Sequence, residues 1–111
     1  MRQSKFHAQK VTVGGITFAS KHEAARWQDL KILERAGLIE QLKRQVKFDL
    51  IPFQNAEKGM PSERGVQYVA DFTYLQNGKL VVEDAKGYKT PEYIIKRKLM
   101  RWVHGISVRE V

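Results

Sequence analysis

The chain has 111 residues with 20 Lys+Arg against 12 Asp+Glu, a formal charge of +8, and no Cys. Such a length makes one domain, burying roughly two thirds of its surface, and the missing thiols exclude disulfide scaffolds, thiolate metal sites and Cys nucleophiles. Nothing approaches the run of about 18 apolar residues that spans a membrane, and Met1 to Lys10 is basic and polar with no apolar stretch behind it, so a cytoplasmic protein without a secretion signal is expected. A hydrophobic fraction of 42% fits a globular domain, and the excess of bases points to a polyanion, nucleic acid being the usual one.

In chain order, Met1 to Gln9 reads as a loose basic arm, leaving residues 10–111 for the domain. Val11-Thr12-Val13 and Ile16-Thr17-Phe18 flank Gly14-Gly15 and predict a tight hairpin. Ser20-Lys21-His22-Glu23 has capping-box spacing and opens a helix whose apolar positions are Ala24, Trp27, Leu30 and Leu33, with Gly37 placed to end it. Val46, Phe48 and Leu50 alternate with Gln45, Lys47 and Asp49, which is strand periodicity. Pro52 ends that strand, and the stretch to Gly65 is long for a loop in a compact domain.

Val66 to Leu75 predicts a second strand, Asn77-Gly78 a hairpin turn, and Leu80 to Lys86 the return strand. Thr90-Pro91-Glu92 supplies an N-cap, an N1 proline and a first-turn acid for a helix carrying Ile94, Ile95, Leu99, Trp102 and Val103. Both Trp27 and Trp102 are expected in the core. Gly105 stops the helix, and Ile106 to Val111 forms a last strand. The result is an α/β fold with an N-terminal β-hairpin and an α-β-β-β-α-β core, ending in a parallel pair joined by a right-handed crossover.

The hairpin register places the acids. With Asn77-Gly78 as the loop, Gln76 pairs with Lys79, and counting back sets Asp71 opposite Asp84. Two carboxylates so placed repel, which calls for a raised pKa or a bound cation. Lys86 shares the face of Asp84, as do Val69, Leu80 and Val82, so that face is expected to be at least partly buried. A surface Asp–Lys ion pair is the plain alternative. Glu83 falls on the opposite face, across from Phe72, as an edge charge or an ion-pair partner for a helix residue; a bulge would exchange it with Asp84.

Glu23 has two readings: a capping-box acid returning to the Ser20 amide, or a third acidic ligand, since it shares a helix side with Trp27 and Leu30. From Lys86 to Arg101 six bases stand against the single acid Glu92. Lys89 and Thr90 at the helix start, and Lys96, are the candidates for phosphate contact, against the ordinary reading of a solvated helix face. Lys43, Arg44 and Lys47 form a second basic cluster, and Gln45 is placed to hydrogen-bond a site water or a phosphate.

Ala70-Asp71 followed by Asp84-Ala85-Lys86 on adjacent strands, after a helix bearing an acid, resembles the PD-(D/E)xK nuclease superfamily, and the core order is similar to its restriction-endonuclease-like fold, a mixed central sheet flanked by helices. More narrowly, Ser20-Lys21-His22-Glu23-Ala24, Tyr68-Val69-Ala70-Asp71-Phe72, Val82-Glu83-Asp84-Ala85-Lys86-Gly87 and Thr90-Pro91-Glu92-Tyr93 resemble small phage-encoded, Holliday-junction-resolvase-like proteins, over residues 8–111. Ala70 stands where the motif has proline, and Asp84 is one methylene shorter than the Glu often found there.

The resemblance implies an Mg²⁺- or Mn²⁺-dependent endodeoxyribonuclease acting on branched DNA in phage recombination or replication. It would work as a homodimer in a bacterial or phage-infected cell, with no organic cofactor and no membrane. Asp71, Asp84, the Ala85 carbonyl and Glu23 would hold the metal, and Lys86 would orient the attacking water. Two other functions compete: a nucleic-acid-binding module using the basic face without catalysis, and a nuclease of another substrate class.

Overall fold

In a computed structural model of the chain, residues 9–111 are described; nearly all of the expected N-terminal arm lies outside them. Gly14 and Gly15 both take positive φ, 57° and 80°, as a two-residue turn matched to strand twist requires, and they join β1 (Val11–Val13) to β2 (Ile16–Phe18). Ser20 then caps α1 (Lys21–Arg35), its Oγ accepting from the Glu23 amide at 3.1 Å. Ala36 and the left-handed Gly37 end the helix.

Three long strands follow, β3 (Glu40–Ile51), β4 (Val66–Gln76) and β5 (Lys79–Asp84), then α2 (Pro91–His104) and the short β6 (Arg109–Glu110). Thr90 Oγ1 caps α2 by accepting from the Tyr93 amide at 3.1 Å, and left-handed Gly105 closes it. The strands form a four-stranded mixed sheet in the order β3-β4-β5-β6, antiparallel except for the parallel pair β5–β6 that α2 connects. This is the α-β-β-β-α-β core, with the β1–β2 hairpin as a separate small sheet. No helix among the described residues is long and apolar enough to cross a membrane.

A helix covers each face. On the α1 face Leu30, Ile39, Phe72 and Tyr74 are buried together, with Trp27, Leu42 and Val81 against them. On the α2 face the buried set is Leu50, Tyr68, Ala70, Val82, Tyr93 and Met100, with Phe48 against it. Strict alternation would place Tyr68, Ala70, Phe72 and Tyr74 on one face. They divide between two faces, and so do Leu42 and Phe48 of the partner strand. The break is at Gln45, whose φ of 53° lies between the ladder pairs Arg44↔Phe72 and Val46↔Ala70, directly across from Asp71. Both strands turn over there without losing register.

Several boundaries differ from the sequence reading. β3 starts at Glu40 because left-handed Gln41 and Gln45 interrupt the alternation without ending the ladder. β6 spans two residues, not Ile106 to Val111. The stretch from Pro52 to Gly65 is tied by the bridges Gln54↔Glu63 and Glu57↔Met60. Trp102 is not a core residue: it is 85% exposed, because none of the described elements covers its side of α2, whereas Trp27 packs between Phe18 and Phe72. Val69 and Leu80 are exposed as well, so the expected burial of their face holds for Val82 and Asp84 but not for them.

Candidate functional site

The Asn77-Gly78 turn, with φ of 53° and 75°, sets the β4–β5 register. Pairing runs Gln76↔Lys79 through Thr73↔Val82 to Phe72↔Glu83, where the ladder ends. Asp71 and Asp84 are the next pair in line. The Ala85 amide there donates to Asp71 Oδ2 at 2.9 Å, so the strand end is tied to a side chain.

Asp84 is fully buried. The Tyr68 hydroxyl, brought to the α2 face by the turnover at Gln45, donates to its Oδ2. Its Oδ1 accepts no hydrogen bond among the described residues, although the Lys86 ammonium is 3.3 Å away. Burial, and then the neighbouring Asp71 carboxyl, pushes Asp84 up to about 7, against the opposing pull of Tyr68 and Lys86. Lys86 also lies over the Tyr93 ring, 5.0 Å from its centroid.

Glu23 is buried at the start of α1. Its Oε1 accepts from the Ala19 amide at 3.0 Å, one residue before the Ser20 amide expected of a capping box. Its Oε2 accepts from Gln45 Nε2 at 3.2 Å, and the same nitrogen reaches Asp71 Oδ1 at 3.5 Å. Gln45 therefore links two carboxylates. Burial, followed by Asp71, raises the Glu23 pKa, while the Ala19 amide, Arg44 and Lys86 pull it down. Beside this link is a cleft of about 440 Å³, lined by Lys10, Phe18, Glu23, Arg44, Gln45 and Asp71 among others. A larger hollow of about 650 Å³ beside Leu50, Phe53 and Val103 contains none of these carboxylates.

Glu23, Gln45, Asp71 and Asp84 are thus gathered from α1 and three strands, with Ala85 and Lys86 from the segment just past the end of β5. The acids meet pairwise through Asp71; no group of three or more His, Asp or Glu among the described residues forms a ready cation cage. The other three sequence candidates are engaged differently. Lys89 pairs with Glu110 Oε1 at 3.2 Å, Thr90 is the α2 cap, and Lys96 is half-buried on α2 with no ion pair among the described residues. Glu83 is the ion-pair partner of a helix residue, Arg26.

Sequence reasoning missed Tyr68, Tyr93 and Arg26. Tyr68 falls on the wrong face under simple alternation, and only the turnover at Gln45 brings it to Asp84. Tyr93 reads as an ordinary helix aromatic. Arg26 is 57 residues from Glu83, and no local pattern joins them.

Fold and site together define an α/β protein that collects three acidic side chains and a lysine where a central hairpin ends. The chain belongs to the family described as Protein of unknown function (DUF1064), whose model matches residues 3–107. Neither the curated proteins nor the solved structures contain a match to it.

Proposed function

We propose that the chain is a divalent-metal-dependent endonuclease of the PD-(D/E)xK type, hydrolysing DNA phosphodiester bonds with branched, Holliday-junction-like DNA as its substrate and acting as a dimer. The observation that carries this reading is Asp84: a fully buried carboxylate with one oxygen that accepts no hydrogen bond, next in line to a second carboxylate and 3.3 Å from a lysine. A buried charge left so is costly unless something fills the place.

The donor set suits a hard cation. Asp84 Oδ1, the Asp71 and Glu23 carboxylates and the Ala85 carbonyl are all oxygens, the ligands Mg²⁺ or Mn²⁺ takes. When bound, the ion supplies a Lewis acid and lowers the pKa of water. The chain's own groups do the rest. Tyr68 holds Oδ2 of Asp84 and so keeps Oδ1 turned to the site; the Ala85 amide holds Asp71; Gln45 spaces Asp71 from Glu23. Lys86, steadied by Asp84 and the Tyr93 ring, orients the attacking water and offsets charge growing on the phosphate.

A nucleic-acid-binding module without catalysis draws on the charge of +8 alone and leaves the crowding of buried Asp84 against Asp71 without a purpose. The test is to incubate the protein with four-way-junction, duplex and single-stranded DNA in Mg²⁺, Mn²⁺ or EDTA, beside Asp84→Asn. Junction cleavage is expected with metal, and none from the variant or in EDTA. Absence of cleavage by the wild type in every metal would overturn the proposal.

A further inference from the structure

We infer that Arg44, braced by Phe18 and Trp27, is the seat for a DNA phosphate in the cleft beside Glu23 and Asp71. The inference deepens the endonuclease reading and rests on its substrate being DNA. Arg44 is on β3, next to the turnover, with its guanidinium carbon 4.6 Å from the centre of the Phe18 ring and 5.8 Å from that of Trp27. One ring belongs to the N-terminal hairpin and the other to α1, and Phe18 is itself fully packed. A guanidinium stacked on rings is held in direction, and its donors lie in its own plane, along the edges the rings do not cover.

Those donors make no hydrogen bond among the described residues. Nε is buried without a partner there, and Nη2 forms only a long ion pair with Glu23 Oε2, at 3.9 Å, beyond hydrogen-bond reach. A buried donor without an acceptor is costly, and an Arg that served only to neutralise Glu23 would close that gap. The cleft adds Lys10 on the same lining and carries Asp71 and Gln45 beside it. Cations next to carboxylates in one cleft fit a group that is both an anion and a metal ligand. A phosphodiester is such a group: one oxygen takes the Arg fork while another faces the carboxylate side. The β1–β2 hairpin thereby gains a task, since Phe18 sets the direction of Arg44.

The experiment is DNA binding by fluorescence anisotropy in EDTA, where no cleavage is needed. A labelled four-way junction is titrated with wild type, Arg44→Gln, Arg44→Met and, as a control at the far end of β5, Lys79→Gln, over a range of salt. Arg44→Gln and Arg44→Met are expected to bind about tenfold more weakly. Their salt dependence should fall by about one phosphate contact, while Lys79→Gln matches the wild type. Arg44→Met keeps apolar bulk against the two rings, and thermal unfolding of each variant shows which is folded. Wild-type affinity and salt dependence in a folded Arg44 variant overturn the seat, and do so alone if the wild type cleaves. A wild type that binds through Arg44 but never cleaves in Mg²⁺ or Mn²⁺ leaves the seat and overturns the nuclease; one that binds no DNA overturns both.

Discussion

Arg26 and Glu83 are joined by two parallel hydrogen bonds, Nε to Oε1 at 2.8 Å and Nη2 to Oε2 at 2.7 Å. Glu83 is fully buried and also accepts from the Tyr74 hydroxyl. Arg26 is about one turn beyond Glu23 on α1, and Glu83 precedes Asp84 on β5, so the pair fixes α1 against β5 beside both acids. Arg26→Ala leaves a buried charge without its partner and is expected to cost about 3 kcal/mol in urea denaturation. The double variant Arg26→Met with Glu83→Leu should lose much less, since it removes the charge as well. A single variant within 1 kcal/mol of wild type would show that the pair is not what holds α1 to β5.

Asp84 gives the metal-free protein a pH dependence of known sign. Its pKa is raised in the fold, from 3.8 to about 7, so its contribution to stability is complete below pH 3.8 and is lost as pH rises through about 7. Between those values the metal-free wild type should lose stability relative to Asp84→Asn. Millimolar Mg²⁺ should restore it at pH 8, raising the melting temperature of the wild type but not of Asp84→Asn. Melting curves with and without Mg²⁺ at pH 5 and pH 8 measure both effects. Equal Mg²⁺ shifts for the two proteins would remove Asp84 from the metal shell.

Tyr68 tests the support of the site without touching its charges. Tyr68→Phe removes the hydroxyl that holds Asp84 Oδ2 and keeps the ring in the α2 layer. Mn²⁺ affinity, by calorimetry or spin resonance, should fall about 10- to 100-fold, the usual effect of losing a partner behind a ligand. Unchanged Mn²⁺ affinity in the folded variant would assign Tyr68 to packing alone.

The two tryptophans should separate cleanly. Trp27→Ala opens a void between Phe18 and Phe72 and removes one of the rings beneath Arg44; about 3 kcal/mol of stability should be lost. Trp102, 85% exposed, should tolerate Trp102→Gln within about 0.5 kcal/mol in the monomer. Chemical denaturation at low protein concentration compares them directly.

The elements governed by short-range rules were readable from the chain. Asn77-Gly78 dictates a turn type, the turn dictates a register, and the register carries without a slip to Phe72↔Glu83, the pair before the two aspartates. Ser20, Thr90 and Gly105 mark helix ends because each satisfies backbone groups beside it. What escaped was long-range or unmarked. Gln41 and Gln45 take left-handed φ with no glycine to announce it, so neither the length of β3 nor the face of Tyr68 follows from simple alternation. Trp102 falls on the side of α2 opposite the buried Tyr93 and Met100, so an apolar residue in a helix is not by itself a core residue. Of the site, Glu23, Gln45, Asp71, Asp84, Ala85 and Lys86 were visible as residues; Tyr68, and the contacts by which Gln45 and the Ala85 amide hold the acids, belong to a sheet that has already formed.

The turnover at Gln45 and Asp71 has an energetic consequence. β3 and β4 each give one half to the α1 layer and the other half to the α2 layer, so neither layer has strands of its own. The two hydrophobic layers are expected to unfold as one cooperative unit, with the amides of Tyr68 and Tyr74 exchanging at the same free energy. The acidic cluster occupies the crossing point of that shared unit. A partly open molecule that kept one layer would keep no site, and the protein would switch between fully competent and fully inert with no leaky state in between.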